Sequence, residues 1–261
     1  MGVNKKIAII GAGNLGISLA EGILDREIFR AEDIYLTRNQ LSKIQYLGEK
    51  GIQITSDNSQ AASEADVLIL AVKPFKVLEI LAEIKPHLNS SKLIISVATG
   101  ISIQAIQEKV GGDIPIFRAM PNTAASVSES LTCIAGNSTQ GLAEVERIFQ
   151  SIGETVFIQE ELMNASTVLG ACGIAYVLRF IRAMIQGGIE IGFDSATATQ
   201  IVTQTVKGAA ELLIQKGLHP EQEIDKVTTP KGCTIVGLNE MEHQGFSSAL
   251  IKGIKTSFEK I

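Results

Sequence analysis

Ile7-Ala8-Ile9-Ile10 is a short apolar block that runs straight into glycine. Val67–Val72 and Leu93–Ala98 are longer blocks of the same kind, and Ile114–Arg118 is another. A run apolar on both faces predicts a strand covered on both sides, as in a parallel sheet. Leu131–Ala135 and Thr155–Ile158 complete the series. Weaker strand signals stand near Asp33–Thr37 and Ile52–Ile54. Helical patterns fill the gaps after Gly16, after Pro74 and over Leu142–Ser151. Strands alternating with helices predict an α/β domain.

The pattern changes near residue 160. From Glu161 onward the apolar residues recur at helical spacing, and no strand is predicted. Two domains follow: α/β over residues 1–160 and all-helical over 161–261. Asn164–Gly192 carries only Arg179, Arg182 and Glu190 as charges, with Gly170, Ala171, Gly173 and Ala175 close together. A helix apolar on most sides needs cover on most sides. A small helical domain cannot supply that cover, so a second subunit is expected.

Composition narrows the function. The chain has 261 residues, 45% hydrophobic and 20% charged, with a net charge of -5. No basic block stands out, so nucleic acid is not expected as a partner. Residues 1–6 lack a signal-peptide core, and Lys6 sits where N-myristoylation of Gly2 calls for Ser or Thr. No run reaches the roughly 18 apolar residues of a membrane span. A cytoplasmic protein without a membrane partner is expected. Cys133, Cys172 and Cys233 are far apart and odd in number, which argues against a disulfide framework and against a metal site. His87, His219 and His243 are scattered, and each is read as structural.

The chemistry starts at the first strand's end. Gly11-Ala12-Gly13-Asn14-Leu15-Gly16 has the spacing G-x-G-x-x-G between a strand and a helix. Gly11 permits the tight turn, Gly13 lets a phosphate approach the backbone, and Gly16 lets the helix pack close. The first N–H groups of the helix then face an anion. An NAD site places an acid roughly 20 residues on, for the ribose hydroxyls. No acid lies between Asp33 and Glu49. Thr37, Arg38 and Asn39 stand there instead, a set suited to a 2′-phosphate and hence to NADPH, with NADH as the other option. The competing reading of Arg38 is a solvated side chain at a strand end. Lys73-Pro74 cuts the Val67–Val72 strand at the sheet's carboxyl edge, where ligands of doubly wound folds bind. A second loop, Thr229-Pro230-Lys231-Gly232-Cys233-Thr234, leads into a helix start. It makes either another anion site or an ordinary capped helix.

These motifs together resemble the pyrroline-5-carboxylate reductase family over essentially the whole chain. The resemblance rests on Gly11–Gly16, Asn58, Ala71-Val72-Lys73-Pro74 and Arg118-Ala119-Met120-Pro121-Asn122-Thr123. It also rests on Gly173 with Ala175-Tyr176, Gln204-Thr205 with Gly208-Ala209, and Thr229–Thr234. It implies an N-terminal Rossmann domain that binds NAD(P)H, and helical C-terminal domains interlocked into dimers; some members assemble further, as five dimers. It implies cofactor contacts at Gly11–Gly16, Thr37, Arg38, Asn58, Ala71, Val72, Lys73, Pro74 and Ala98. Substrate contacts are implied at Met120, Pro121, Asn122, Thr229, Gly232, Cys233 and Thr234. The N–H groups of Gly232, Cys233 and Thr234 are expected to hold the substrate carboxylate. The Thr234 hydroxyl, by resemblance, bonds the ring nitrogen as the catalytic helper.

Two positions depart from the family's pattern. Ile174 replaces the proline of Ser-Gly-Ser-Gly-Pro-Ala-Tyr, and Lys231 replaces a glycine of Ser-Pro-Gly-Gly. Lys231 either changes the loop's backbone or brings an extra cation.

Ketone reduction calls for a proton donor at the oxygen. Hydroxyacid dehydrogenases of similar fold use a lysine on the interdomain helix, but no lysine lies between Lys109 and Lys207. A protonated cyclic imine needs mainly positioning against the cofactor. The implied activity is reduction of 1-pyrroline-5-carboxylate to L-proline, the last step of proline biosynthesis. The alternatives are a reductase of another small cyclic imino acid, or a non-catalytic dinucleotide-binding regulatory protein.

Overall fold

The computed structural model describes residues 5–261. The readings of Gly2 and of the leader fall largely on residues 1–4, outside the described residues. The described chain divides into two compact units, the first ending at Cys172 and the second spanning Gly173–Lys260.

The first unit is one eight-stranded sheet with helices. Its strands are β1 (Ile7–Ile10), β2 (Ile34–Thr37), β3 (Gln53–Thr55), β4 (Val67–Leu70), β5 (Leu93–Ser96), β6 (Ile116–Met120), β7 (Ser130–Gly136) and β8 (Gly153–Phe157). They lie in the order β3-β2-β1-β4-β5-β6-β7-β8. The first six are parallel, in the arrangement of a dinucleotide fold, whose ligands bind at the carboxyl ends where the order reverses beside β1. β7 runs antiparallel to β6 because only a short 3-10 turn, Thr123–Val127, joins them, too little for a crossover. β8 then pairs parallel with β7.

Helices α1 (Asn14–Asp25), α2 (Gln45–Glu49), α3 (Asn58–Glu64), α4 (Pro74–Ile84), α5 (Ile103–Val110), α6 (Leu142–Gln150) and α7 (Met163–Ser166) complete this unit. The continuous apolar strands are explained by burial on both faces. Ile7 and Ile9 join a core with Leu19, Leu36, Phe117 and Phe149, while Ala8 and Ile10 join another with Leu68, Val77 and Leu81. The compact boundary lies beyond the compositional shift near 160. Met163 is wholly buried against Met120 and Ala135, which ties the first helical residues to the sheet. A π-helical stretch, Thr167–Cys172, ends at this boundary.

The second unit holds α8 (Gly173–Glu190), α9 (Ser195–Lys216), α10 (Pro220–Val227), α11 (Cys233–His243) and α12 (Phe246–Phe258). Its core is small: Ile185, Ala198 and Val202, flanked by Ile181, Met184 and Val206. Tyr176 Oη donates to Ser257 Oγ at 2.7 Å and ties α8 to α12. His219 is structural, its Nδ1 accepting from Glu221 N at 3.3 Å at the start of α10.

One expectation is corrected here. The continuous helical stretch Glu160–Glu190 has 31 residues, and an 18-residue window of it has mean hydropathy 1.7, which is long and apolar enough to cross a membrane by length and composition. That window holds at most two charged residues, too few to lower its average.

Candidate functional site

The loop after β1 forms the first part of the site. Gly11 adopts φ +108°, and a Cβ there would meet the Ala71 carbonyl oxygen at 2.5 Å. Only glycine combines that conformation with that approach. A Cβ on Gly16 would drive into the Gly11 carbonyl, so this glycine packs the helix onto the loop itself. A Cβ on Gly13 would point into open space, which leaves a cradle over the backbone. Ile17 N donates to Gly13 O at 2.9 Å, so the N–H groups of Asn14, Leu15 and Gly16 precede the first intrahelical bond. No side chain caps α1. Those three N–H groups and the positive end of the helix dipole suit a phosphate. The residues present therefore fit a dinucleotide.

A cavity of about 680 Å³ opens beside this loop. It brings together Gly11, Ala12, Gly13, Thr37, Arg38, Asn58 and Val72 of the expected cofactor residues. Arg38 is half-buried, and its Nη1 donates to the Ala12 carbonyl oxygen. Its guanidinium thus lies over the glycine turn rather than free in solvent. Asn39 also lines the cavity.

Thr37 needs a correction. It is 2% exposed, and its hydroxyl is already committed. Thr37 Oγ1 accepts from Gly11 N at 3.2 Å and donates to Asn58 Oδ1 at 2.7 Å. Its hydroxyl pins the glycine turn to α3. Asn58 Nδ2 in turn donates to Glu83 Oε2 at 3.2 Å.

Ala71, Lys73, Pro74 and Ala98 lie outside this cavity, at the exits of β4 and β5. Ala71 N donates to Ile10 O at 2.8 Å, and Val97 N donates to Leu70 O at 3.2 Å. These exits therefore stand side by side along the carboxyl edge. Lys73 and Pro74 are exposed, with Pro74 as the first residue of α4, where its missing N–H costs nothing.

Sequence reasoning missed Lys76, Glu79, Ile80 and Glu83, all of which line the cavity. Their spacing of three, four and seven on a helix starting at Lys73-Pro74 marks one helical face. That was the available signal.

At the exit of β6, Met120 and Pro121 are buried. The Asn122 amide is fully engaged: Oδ1 accepts from Ala124 N at 3.0 Å, and Nδ2 donates to Gly170 O at 3.3 Å. Asn122 thus holds the loop to the π-helical stretch. Nearby Arg118 is 5% exposed and paired with Glu160 at 3.1 Å. Its Nε and Nη2 have no partner among the described residues. Glu160 Oε1 also accepts from Ile103 N at 2.7 Å, so one carboxylate joins β6 to the start of α5.

The second loop lies in the second unit. Gly232 caps α11 without a side-chain bond, and its own N–H donates to Thr229 O at 2.9 Å. This corrects the expected carboxylate contact. The N–H groups ahead of the first intrahelical bond are those of Cys233, Thr234 and Ile235. A Cβ on Gly232 would meet Thr229 Oγ1 at 2.5 Å, so the turn requires glycine there. Lys231 takes φ +60°, a left-handed conformation that favours glycine. The loop therefore keeps a glycine-like backbone in spite of the substitution. Thr229, Lys231, Cys233 and Thr234 are exposed.

Burial pushes the Cys133 thiol above its ordinary pKa. All three cysteines are free thiols. No cluster of three metal-ligating side chains occurs among the described residues.

Two family models match separate parts of the chain. A family model described as pyrroline-5-carboxylate reductase dimerisation matches residues 160–261. One described as NADP oxidoreductase, coenzyme F420-dependent, matches residues 6–100. The chain is 47% identical over 275 residues to pyrroline-5-carboxylate reductase 2 of Dictyostelium discoideum, covering 98% of this chain and 92% of that protein. It is 35% identical to pyrroline-5-carboxylate reductase of Methanosarcina acetivorans, covering 98% and 97%. The crystal structure of Plasmodium falciparum pyrroline carboxylate reductase with NADP bound superposes with a TM-score of 0.87 at 31% identity, covering 98% of this chain and 97% of that one. The chain belongs to the pyrroline-5-carboxylate reductase family.

Proposed function

We propose that this protein reduces 1-pyrroline-5-carboxylate to L-proline, with NADPH preferred over NADH. The observation that carries the reading is the open cradle over Gly13 beside three unpartnered helix N–H groups, in a chain so close to named reductases. When bound, NADPH supplies the hydride. The chain's residues bind, orient and exclude water. The α1 N-terminus holds the pyrophosphate, and Arg38 pairs with the 2′-phosphate. The first-turn N–H groups of α11 hold the substrate carboxylate, and the Thr234 hydroxyl orients the ring nitrogen. No strong acid is required, because a protonated imine already accepts hydride at carbon.

A homodimer built from the second unit completes the proposal, with assembly of dimers into a decamer as a further step. The apolar stretch Glu160–Glu190 lies within the matched dimerisation region, and a second copy is the cover its composition asks for. The proposed setting is cytoplasmic proline biosynthesis. The test is NADPH oxidation across a panel of cyclic imines, with the product identified. Proline formed from 1-pyrroline-5-carboxylate supports the assignment; turnover only with other imines, or binding without turnover, refutes it.

A further inference from the structure

We infer that Lys76 is a second cation for the cofactor's 2′-phosphate, opposite Arg38, and so helps set the preference for NADPH. The inference rests on the proposal that this cavity holds NADPH. The cavity takes in the glycine turn together with Thr37, Arg38 and Asn39 at the β2 exit, which on that proposal is the adenosine end of the site. Its ionisable side chains are Arg38, Lys76, Glu79 and Glu83.

Arg38 alone would face two acids there, a poor setting for a group carrying nearly two negative charges. Lys76 restores the balance. It stands in the first turn of α4, just after Val72, whose side chain packs on Gly11. Glu83 stands at the other end of α4, against Asn58. Through Asn58 and Thr37, Glu83 is linked to the β2 exit beside Arg38, so an acid stands on Arg38's side of the cavity while Lys76 stands at the end of α4 that follows β4. No ion pair of the described residues engages Lys76, and its side chain is exposed, leaving the ammonium available to a ligand. The pyrophosphate already has the α1 N–H groups, whereas the 2′-phosphate otherwise has Arg38 as its only cation.

The test is a titration of the full chain with NADPH and with NADH, without substrate, for wild type, Lys76→Met, Lys76→Arg and Arg38→Met. Lys76→Met is expected to weaken NADPH binding roughly three- to tenfold, the range of a partly solvated charge pair. NADH binding should stay within about twofold, and Lys76→Arg should retain the discrimination. Unchanged NADPH affinity in Lys76→Met, with discrimination lost in Arg38→Met, overturns the role of Lys76 and leaves the cofactor reading intact. Equal loss for both cofactors in Lys76→Met overturns it too, since Lys76 would then serve a part they share. No change in either methionine variant sinks the assignment of this cavity to the 2′-phosphate altogether.

Discussion

Ile7, Ile9 and Leu36 are completely buried within the first unit, whereas Ile191 and Ile214 in the second are 79% and 75% exposed. The first unit encloses its apolar residues between sheet and helices on both faces. The second has comparable apolar content and buries only a small cluster around Ile185, Ala198 and Val202. Leu178, Phe193, Ile251 and Phe258 all face outward by more than two-fifths of their surface. The difference is one of where the cover comes from. The first unit carries its own core and with it the nucleotide site. The second presents a surface whose burial, on the proposed reading, comes from another copy of the chain.

Charge placed in that surface should separate the units most sharply. Leu178→Asp, on α8, would put a carboxylate into the proposed interface at a cost of several kcal/mol. The expected result is a monomer with an unstable second unit, no turnover, and NADPH affinity within a few-fold of wild type. Light scattering and a cofactor titration check it. A fully active monomer would remove the contrast between the units.

Thr234→Ala tests the second unit's chemical contribution. The hydroxyl is a neutral helper, so kcat/KM should fall roughly ten- to a hundredfold, about 1.4–2.7 kcal/mol. NADPH affinity should not change. Equal loss of cofactor affinity, or wild-type kinetics, would take Thr234 out of the substrate site.

Lys92→Met probes the first unit alone. Lys92 is 7% exposed; its Nζ donates to Ala62 O at 2.9 Å and to the Ala65 carbonyl at the end of α3. Burial lowers its pKa, and these carbonyls hold the charge in place. Removing the ammonium strands buried acceptors, for a loss of about 1–2 kcal/mol. The melting temperature should drop by the same amount at every protein concentration, unlike the loss in Leu178→Asp, which dilution should mimic. A concentration-dependent effect of Lys92→Met would show that the first unit is not self-sufficient.

The first unit was the more legible from sequence for the same reason that it is self-contained. Ile7–Ile10 and Val67–Leu70 read as continuous apolar runs because both faces are covered by the same chain. The glycine loop was legible because its spacing is local. Thr37 was misread because the partners of its hydroxyl, Gly11 and Asn58, lie 26 and 21 residues away. The spacing of Lys76, Glu79 and Glu83 marks one face of α4, but not that this face borders the cavity beside the β2 exit. Gly232 looked like a carboxylate donor until the turn engaged its N–H with Thr229. In Glu160–Glu190, scattered charges hid a length and apolarity that the continuous helix makes plain.

On the proposed function, the chain's residues hold a cyclic imine for direct hydride transfer. NADPH deuterated at the transferring position of its nicotinamide, with 1-pyrroline-5-carboxylate as substrate, tests this most directly. The expected product is proline carrying one deuterium at C5, formed in equal amount to the cofactor oxidised. Oxidation of the cofactor with unlabelled proline, or no proline at all, would contradict it.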